Sequence, residues 1–313
     1  MKKAILYLFL AAALLLAWFG FDVYRKVFVP YQGYPAKTIV RIKPGYSVAA
    51  ISFLLQRQGV IASAAYFKRY YSLFFRGKTL KAGEYLFDGP LTMRQVIKKL
   101  DLGKAILYKL TFTEGLMIED MAMIFQEAGL FSAGEFMHAA RNTDPIGDLD
   151  ADADDLEGYL FPDTYLVRKD ISASEMAALM VKHFREIFSN TLIWRARDIG
   201  LTVRQAVIMA SLIEKETAAR DERFLISSVF HNRLRHRMLL DCDSTIIYAL
   251  KKAGLYRGKL GWDDLKFPSP YNTRLYRGLP PGPIANPGYA SLEAALYPEN
   301  SDYLFFVAKD AGS

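Results

Sequence analysis

Two glutamates in the segment AVIMASLIEKET (206–217) are the residues best placed for acid–base chemistry. The spacing of the apolar residues predicts a helix, in which successive side chains are rotated by about 100°. Glu214 and Glu216 therefore point about 200° apart and do not flank one bond. Glu214 falls in the apolar face, where loss of water favours the protonated form that a general acid needs. The pattern leaves two interpretations open: Glu214 is a general acid, or it forms a buried ion pair with an arginine such as Arg233.

Other kinds of catalytic or metal site find little support in the sequence. No two of the four histidines have the i,i+4 spacing of a metalloprotease helix, since His231 and His236 are five residues apart. The single cysteine, Cys242, excludes an intrachain disulfide and a multi-cysteine zinc site. The acidic segment 143–155 lacks the Gly and Glu that an EF-hand loop needs at its sixth and twelfth positions. We therefore predict no metal site.

The composition is that of a folded protein with a modest positive charge. Of the 313 residues 52% are hydrophobic, which excludes wholesale disorder. The 40 Lys and Arg exceed the 33 Asp and Glu by seven, but the basic residues are scattered among the acidic ones. A nucleic-acid-binding domain usually concentrates them in a patch. Nucleic acid is therefore not an expected partner.

The amino terminus predicts a membrane anchor. Ala4 to Phe21 is a run of eighteen uncharged, mostly apolar residues, near the length that spans a bilayer as a helix. A cleaved signal peptide is the competing interpretation, but its apolar core is usually shorter and is followed by a cleavage site. We assign residues 1–26 to a cytoplasmic tip and transmembrane anchor, and 27–36 to a stalk. The rest of the chain should lie outside the cytoplasm.

The body begins with an internal repeat. Residues 39–61 and 109–131 align without a gap at an offset of 70, and each copy reads as strand, glycine turn, helix and glycine stop. We assign 37–132 to this strand–helix repeat region, 133–170 to a connecting segment, and 171–313 to a mainly helical domain with a long Pro/Gly-rich loop. The predicted fold class is α+β.

Six sequence words carry a family resemblance. In chain order they resemble, at compatible spacing, the YceG-like family of membrane-anchored endolytic murein transglycosylases. The words are LEGYLFPDTY (156–165), ASLIEKET (210–217), VFHNRL (229–234), LDCDSTIIYAL (240–250), SPYNTRLYRGLPPGPIANPG (269–288) and ALYPENSDYLFFVA (295–308). The family is associated with a LysM-like region before its catalytic domain, which corresponds to the repeat at 37–132.

The resemblance also implies roles for particular residues. The catalytic glutamate of the family corresponds to Glu214, the first Glu of the EKET word. Matching residues of the other words are expected to line the substrate cleft or to hold Glu214; they are Asn232, Arg233, Asp243, Thr245, Tyr271, Asn272 and Thr273. Asp241 stands where Gln is expected in many relatives, which adds a carboxylate near the cleft.

The function implied is endolytic cleavage of the MurNAc–GlcNAc β-1,4 bond in nascent peptidoglycan. One acid/base carboxylate would leave 1,6-anhydro-MurNAc ends and terminate strand elongation, with no metal, nucleotide or redox cofactor. The implied partners are glycan strands, the inner membrane and peptidoglycan synthases, with the catalytic domain in the periplasm. Two alternatives stay open: a muramidase that uses Asp241 or Asp243 as its second carboxylate, and a non-catalytic peptidoglycan-binding scaffold.

Overall fold

The computed structural model describes residues 2–217, 219 and 222–306, and it divides the chain into two compact units. Unit 1 comprises residues 1–109 and 166–170, and unit 2 comprises 110–165 and 171–313. The division falls inside the predicted repeat region 37–132. The two copies of the repeat therefore belong to different units.

Unit 1 begins with the long helix α1, Lys2–Val27. Its stretch Ile5–Val27 is long and apolar enough to cross a membrane. A two-stranded antiparallel sheet and three helices follow, with Thr38 opposite Phe87 in the sheet. These elements are β1 (Thr38–Ile42), α2 (Val48–Arg57), α3 (Ala64–Phe74), β2 (Gly83–Phe87) and α4 (Met93–Asp101).

The core of unit 1 follows from the side-chain periodicity of these elements. Alternate residues of β1 and β2 face inward, so that Val40, Ile42, Tyr85 and Phe87 are buried. The helices cover them with residues three and four apart, as in the buried run of α4 (Met93, Val96, Ile97 and Leu100).

Unit 2 is mainly helical. Strands β3 (Tyr108–Thr111) and β4 (Thr164–Val167) form a second two-stranded sheet whose residues are divided between the two units. Between the last two helices the structure shows no strand and only a three-residue 3-10 turn, Asp264–Lys266. The helices are α5 (Ile118–Glu127), α6 (Ala133–Ala139), α7 (Ala173–Ile187), α8 (Asn190–Asp198), α9 (Val203–Glu216), α10 (Arg223–Arg235), α11 (Asp243–Lys252) and α12 (Tyr289–Leu296).

Helix α9 is the centre of unit 2. It packs against α8, α10, α11 and α12. Eight consecutive residues, 206–213, are buried, so the helix has no exposed stripe along this stretch. The sequence pattern predicts a helix with one apolar face, whereas the structure shows a helix that is buried on all sides over residues 206–213.

The local structure of the repeat is confirmed. Helices α2 and α5 are offset by 70 residues, and each follows a strand and a glycine turn. Gly45 and Gly115 both have φ +80°, and Gly59 and Gly129 have φ +71° and +63°. These left-handed conformations are readily adopted only by glycine, which explains why the repeat preserves glycine at both positions.

The α+β class is confirmed as a mostly helical chain with few strands, but some elements differ from the prediction. Helices α6 and α8 were not predicted, because they bury only one and two residues and give no clear periodicity. The apolar run 303–308 predicts a strand, but residues 303–306 do not form one. Its last two residues lie outside the described part of the chain.

A buried asparagine, Asn286, ties together the segments around α9. Its Oδ1 accepts hydrogen bonds from the backbone N–H groups of Gly158 (2.9 Å) and Leu160 (3.0 Å). Its Nδ2 donates to the carbonyl of Leu116 (3.0 Å) and to Oε1 of Glu157 (2.7 Å). Burial raises the pKa of the Glu157 carboxyl well above its usual range. The amide thus connects three chain segments without contact with water.

Replacing Asn286 by alanine should destabilise unit 2 strongly. The Asn286→Ala variant leaves the N–H groups of Gly158 and Leu160 without their acceptor, at a cost of roughly 2–5 kcal/mol in the free energy of unfolding. Thermal melting of the full chain measures this loss. The exposed Asn190→Ala is the matched control and should leave the melting temperature unchanged; equal melting of the two variants would contradict the role of Asn286.

Candidate active site

Glu214 lies in a buried ion pair. Nη2 of Arg223 donates to its Oε1 at 2.9 Å, and the side chains of the two residues are 5% and 4% exposed. The backbone N–H of Gly288 donates to the other oxygen, Oε2, at 3.0 Å. A Cβ at position 288 would lie 1.8 Å from Glu114 Oε1, so a larger residue there would displace the Glu114 side chain. Both oxygens of Glu214 therefore accept hydrogen bonds from N–H groups of the fold.

Glu216 has a different environment at the last residue of α9. Its side chain is half-buried, and its Oε1 accepts a hydrogen bond from the hydroxyl of Ser244 at 2.8 Å. Burial, and then the negative charge of Asp243, raise the pKa of Glu216 above its usual value near 4.5. The Ser244 hydroxyl and the cations Arg233 and Arg274 oppose this shift without cancelling it. The proton is therefore held more firmly than in water.

Two residues of the word VFHNRL, Asn232 and Arg233, bind the carboxyl-terminal segment of unit 2. Asn232 donates to the carbonyls of Ser301 (2.8 Å) and Tyr303 (2.9 Å). Arg233 donates from Nε to the carbonyl of Leu304 (2.7 Å). Another guanidinium nitrogen of Arg233, Nη1, donates to the carbonyl of Leu240 at 2.7 Å. Both side chains are buried and use polar groups on the backbone.

Three buried residues of the words LDCDSTIIYAL and SPYNTRLYRGLPPGPIANPG also bind the backbone; they are Thr245, Asn272 and Thr273. The hydroxyls of Thr245 and Thr273 lie 3.1 Å apart, and Thr273 accepts the N–H of Cys242 at 3.0 Å. Asn272 donates to the carbonyls of Leu265 (3.1 Å) and Phe267 (3.0 Å). These contacts fix the loop that follows α11 to the start of that helix.

Asp243 is the predicted site residue most open to solvent, with 55% of its side chain exposed. Arg274 Nε donates to its Oδ1 at 2.8 Å and also lies 3.3 Å from an oxygen of Asp241. Asp241 has φ +57°, a left-handed conformation that Asp and Asn tolerate better than most residues. The two aspartates therefore share one cation.

Tyr271, the remaining predicted residue, lines a cavity of about 510 Å³ in unit 2. Its ring lies 4.9 Å from that of Tyr248, and burial raises the pKa of its hydroxyl. The acidic segment contributes Asp154 and Asp155 to the opposite wall. Neither Glu214 nor Glu216 is among the residues that line this cavity.

Two other potential nucleophiles, Ser211 and Cys242, are buried in the fold. The Ser211 hydroxyl is buried, donates to the carbonyl of Ile208 (2.7 Å) and accepts the N–H of Ile284 (3.1 Å). Burial raises the pKa of the Cys242 thiol well above its usual range, which disfavours the reactive thiolate. Over the described residues, no group of three or more His, Cys, Asp and Glu side chains could hold a metal ion.

The structure thus brings Asp243, Ser244 and Arg274 to Glu216 and not to Glu214. The hydrogen bonds of Glu214 run instead to Arg223 and Gly288, which sequence reasoning did not assign to the site. The buried arginine that was expected as a possible partner, Arg233, binds backbone carbonyls. No periodicity signals Arg223, because α10 is buried on several sides.

Comparison with known proteins assigns the chain to a family. The sequence profile of the YceG-like family matches residues 40–313. The chain belongs to the YceG-like family.

Individual relatives of this YceG-like chain cover most of its length. The endolytic murein transglycosylase of Bacillus subtilis (strain 168) is 33% identical over 289 residues, which is 87% of this chain and 79% of the relative. The protein of the same name from Streptococcus pneumoniae is 29% identical; the match covers 93% of this chain but 58% of the relative. A crystal structure of a YceG-like protein from Listeria monocytogenes is 33% identical, has a TM-score of 0.60 and covers 88% of this chain and 94% of the other.

The raised pKa of Glu216 predicts a pH-dependent contribution to stability. Between pH 4.5 and its folded pKa, Glu216 keeps a proton in the folded state that the unfolded chain has lost. The folded state of this YceG-like chain should therefore lose stability as pH rises through that window. Glu216→Gln removes this loss. Thermal melting of both proteins across the window should show curves that diverge; parallel curves would contradict the assignment.

Proposed function

We propose that the chain is a membrane-anchored endolytic peptidoglycan lytic transglycosylase that cleaves the MurNAc–GlcNAc β-1,4 bond of nascent glycan strands. The proposal is supported by membership of the YceG-like family and by relatives named endolytic murein transglycosylase at 29–33% identity. Cleavage inside a growing strand would terminate its elongation. The substrate is then a glycan strand, and peptidoglycan synthases are the expected neighbours of the enzyme.

We assign the acid/base role to Glu216, in place of Glu214 as expected from the sequence. The observation that carries the assignment is the contrast between the two carboxyls. Both oxygens of Glu214 accept N–H groups, one of them from a buried guanidinium, so this side chain is engaged in contacts within the fold. Glu216 is half-buried and has a raised pKa, as a general acid working near neutral pH requires.

One carboxyl suffices for the proposed reaction. Protonated Glu216 donates its proton to the glycosidic oxygen, and the C1–O bond of MurNAc breaks to give an oxocarbenium-like centre. The carboxylate of Glu216 then accepts the proton of the C6 hydroxyl of the same sugar as that oxygen bonds to C1. The products are a free GlcNAc hydroxyl and a 1,6-anhydro-MurNAc end. No water is consumed, and the proton has returned to Glu216.

The surroundings of Glu216 favour this route over a hydrolytic one. An inverting muramidase needs a second, available carboxylate to deprotonate water. Asp241 and Asp243 are the candidates, and both lie within 3.3 Å of Arg274. The oxygens of these carboxylates that face Arg274 are occupied by its guanidinium and are not open to a water molecule. Exposed Asp243 and cavity-lining Tyr271 are proposed instead to contact the glycan.

The proposed location is the inner membrane, with α1 as a single-pass anchor. The amino-terminal end would be cytoplasmic and the catalytic domain periplasmic, supported by the short basic head before the apolar helix. The repeat region 37–132 is proposed to be LysM-like and to contact glycan. Such contacts alone would describe a non-catalytic scaffold, which the environment of Glu216 disfavours.

Substituting each glutamate separately distinguishes catalysis from stability. Glu216→Gln cannot transfer a proton, so activity on isolated glycan strands should fall at least about 100-fold while the protein stays folded and no less stable than the parent. Glu214→Gln removes one charge of a buried ion pair and should cost roughly 3–5 kcal/mol in the free energy of unfolding. Exposed Glu186→Gln is the control for loss of a charge. An active Glu216→Gln beside a stable, inactive Glu214→Gln would return the acid role to Glu214.

The chemical nature of the product tests the mechanism itself. Digestion of glycan strands in heavy-oxygen water should give unlabelled 1,6-anhydro-MurNAc ends that borohydride does not reduce, because the attacking oxygen comes from the sugar. Mass spectrometry distinguishes these ends from hydrolytic ends by the mass of one water. Labelled, reducible MurNAc ends would show that water attacks, and would make Asp241 or Asp243 the catalytic base.

A further inference from the structure

Helix α3 and the turn after it are unusually basic and aromatic. Residues 64–83 include five Lys or Arg, six aromatic residues and no Asp or Glu. The chain as a whole has 40 basic and 33 acidic residues, so this five-to-none ratio is a local departure. A helix that combines aromatic and basic side chains in this way is typical of proteins that lie on a membrane surface.

Contacts with the last turns of α1 fix the position of α3. The Tyr66 hydroxyl donates to Asp22 Oδ2 at 3.0 Å, and Lys26 Nζ lies 5.4 Å from the centre of the Tyr66 ring. One turn further along, the edge of Tyr70 meets Phe28 with 6.2 Å between ring centres. Val27 is buried in the core of unit 1. The end of the long apolar helix and α3 therefore belong to one packed body.

Several large side chains next to this contact are exposed. Leu73 is 70% exposed, Phe74 67% and Phe28 54%, and the ring of Phe74 lies 4.8 Å from that of Tyr70. Exposed basic residues lie on the same helix and in the turn after it. We define the basic-aromatic surface by the exposed residues Phe28, Lys68, Arg69, Leu73, Phe74, Arg76 and Lys78.

The length of α1 sets the level of this surface relative to a bilayer. The uncharged run Ala4 to Phe21 has eighteen residues, and at about 1.5 Å per residue it spans about 27 Å. A bilayer core is about 30 Å thick. When this run fills the core, Asp22 to Phe28 lie in the headgroup layer. Helix α3 packs beside these residues and lies at the same level.

We propose that the basic-aromatic surface binds the anionic lipid headgroups of the membrane that α1 crosses. Leu73, Phe74 and Phe28 enter the boundary between headgroups and acyl chains, and the four basic side chains bind lipid phosphates. This contact goes beyond the proposed catalytic function and rests only on the membrane crossing by α1. A bilayer accounts for both kinds of side chain, since a neutral glycan would leave the exposed apolar groups without a partner.

Fluorescent probes on the full-length chain in phosphatidylglycerol vesicles test the contact. Cys242 is buried, so a single introduced cysteine can be labelled selectively with a polarity-sensitive dye. We expect a probe at Phe74→Cys to shift to shorter emission wavelengths and to be quenched by headgroup nitroxide lipids. Leu73→Cys should behave in the same way. Ile39→Cys, an exposed apolar position of the same unit outside the surface, is the matched control and should stay unquenched.

Further variants separate this proposal from the anchor and from other occupants. A probe at Leu10→Cys should be quenched by nitroxides deep in the acyl chains; its failure would overturn the anchor and the surface contact together. Quenching at Leu10 without quenching at Phe74 would overturn the surface contact alone. A blue-shifted but unquenched Phe74 probe would also overturn it, because another protein copy would then cover the surface.

The charge dependence of the quenching provides a second measurement. Glutamine at the four basic positions (Lys68, Arg69, Arg76 and Lys78) should abolish most of the quenching at Phe74 in anionic vesicles. In vesicles of uncharged phosphatidylcholine the parent chain should already show this loss, because each basic side chain contributes about fivefold to binding an anionic surface. Quenching that is independent of both changes would contradict the proposed role of the headgroups.

Discussion

The complete burial of α9 is the constraint on which the candidate site depends. A helix enclosed by four others has no solvent face, so a polar side chain reaches water only near its ends. Both glutamates lie in the last turn for this reason. Their surroundings in that turn differ: the Glu214 side chain is 5% exposed and pairs with Arg223, whereas Glu216 is half-buried.

The segments that close over α9 are held by polar groups rather than by regular structure. Residues 282–288 form neither helix nor strand and are mostly buried, so their backbone groups need specific partners. Asn286 supplies several of them, and Gly288 donates directly to Glu214. The ion pair of Glu214 with Arg223 is thus part of the same interior network. Through Glu214 this ion pair connects the end of α9 with the segment 282–288, because Glu214 also accepts the N–H of Gly288.

Sequence patterns predicted most of the elements, but they did not predict the contacts of the two glutamates. The repeat, the apolar amino-terminal helix and most helices followed from periodicity and from glycines at positive φ. The choice of Glu214 relied on a single apolar face, and rotation about a helix axis carries no information on exposure when all faces are buried. The partner of Glu214 is nine residues away on another helix, a tertiary contact that no local pattern encodes.

Several residues of the words that match the family bind the backbone of this chain. Asn232, Thr245 and Thr273 are buried and bind backbone groups. In these words the matching residues therefore indicate how the loops are stabilised and not which ligand the loops bind. Side chains that bind their own fold cannot also bind a substrate with the same atoms. Under the proposed function, recognition of a glycan is therefore assigned to exposed neighbours such as Asp243. Asp241 is one of these neighbours, and its shared cation makes the charge of the rim sensitive to the residue at that position.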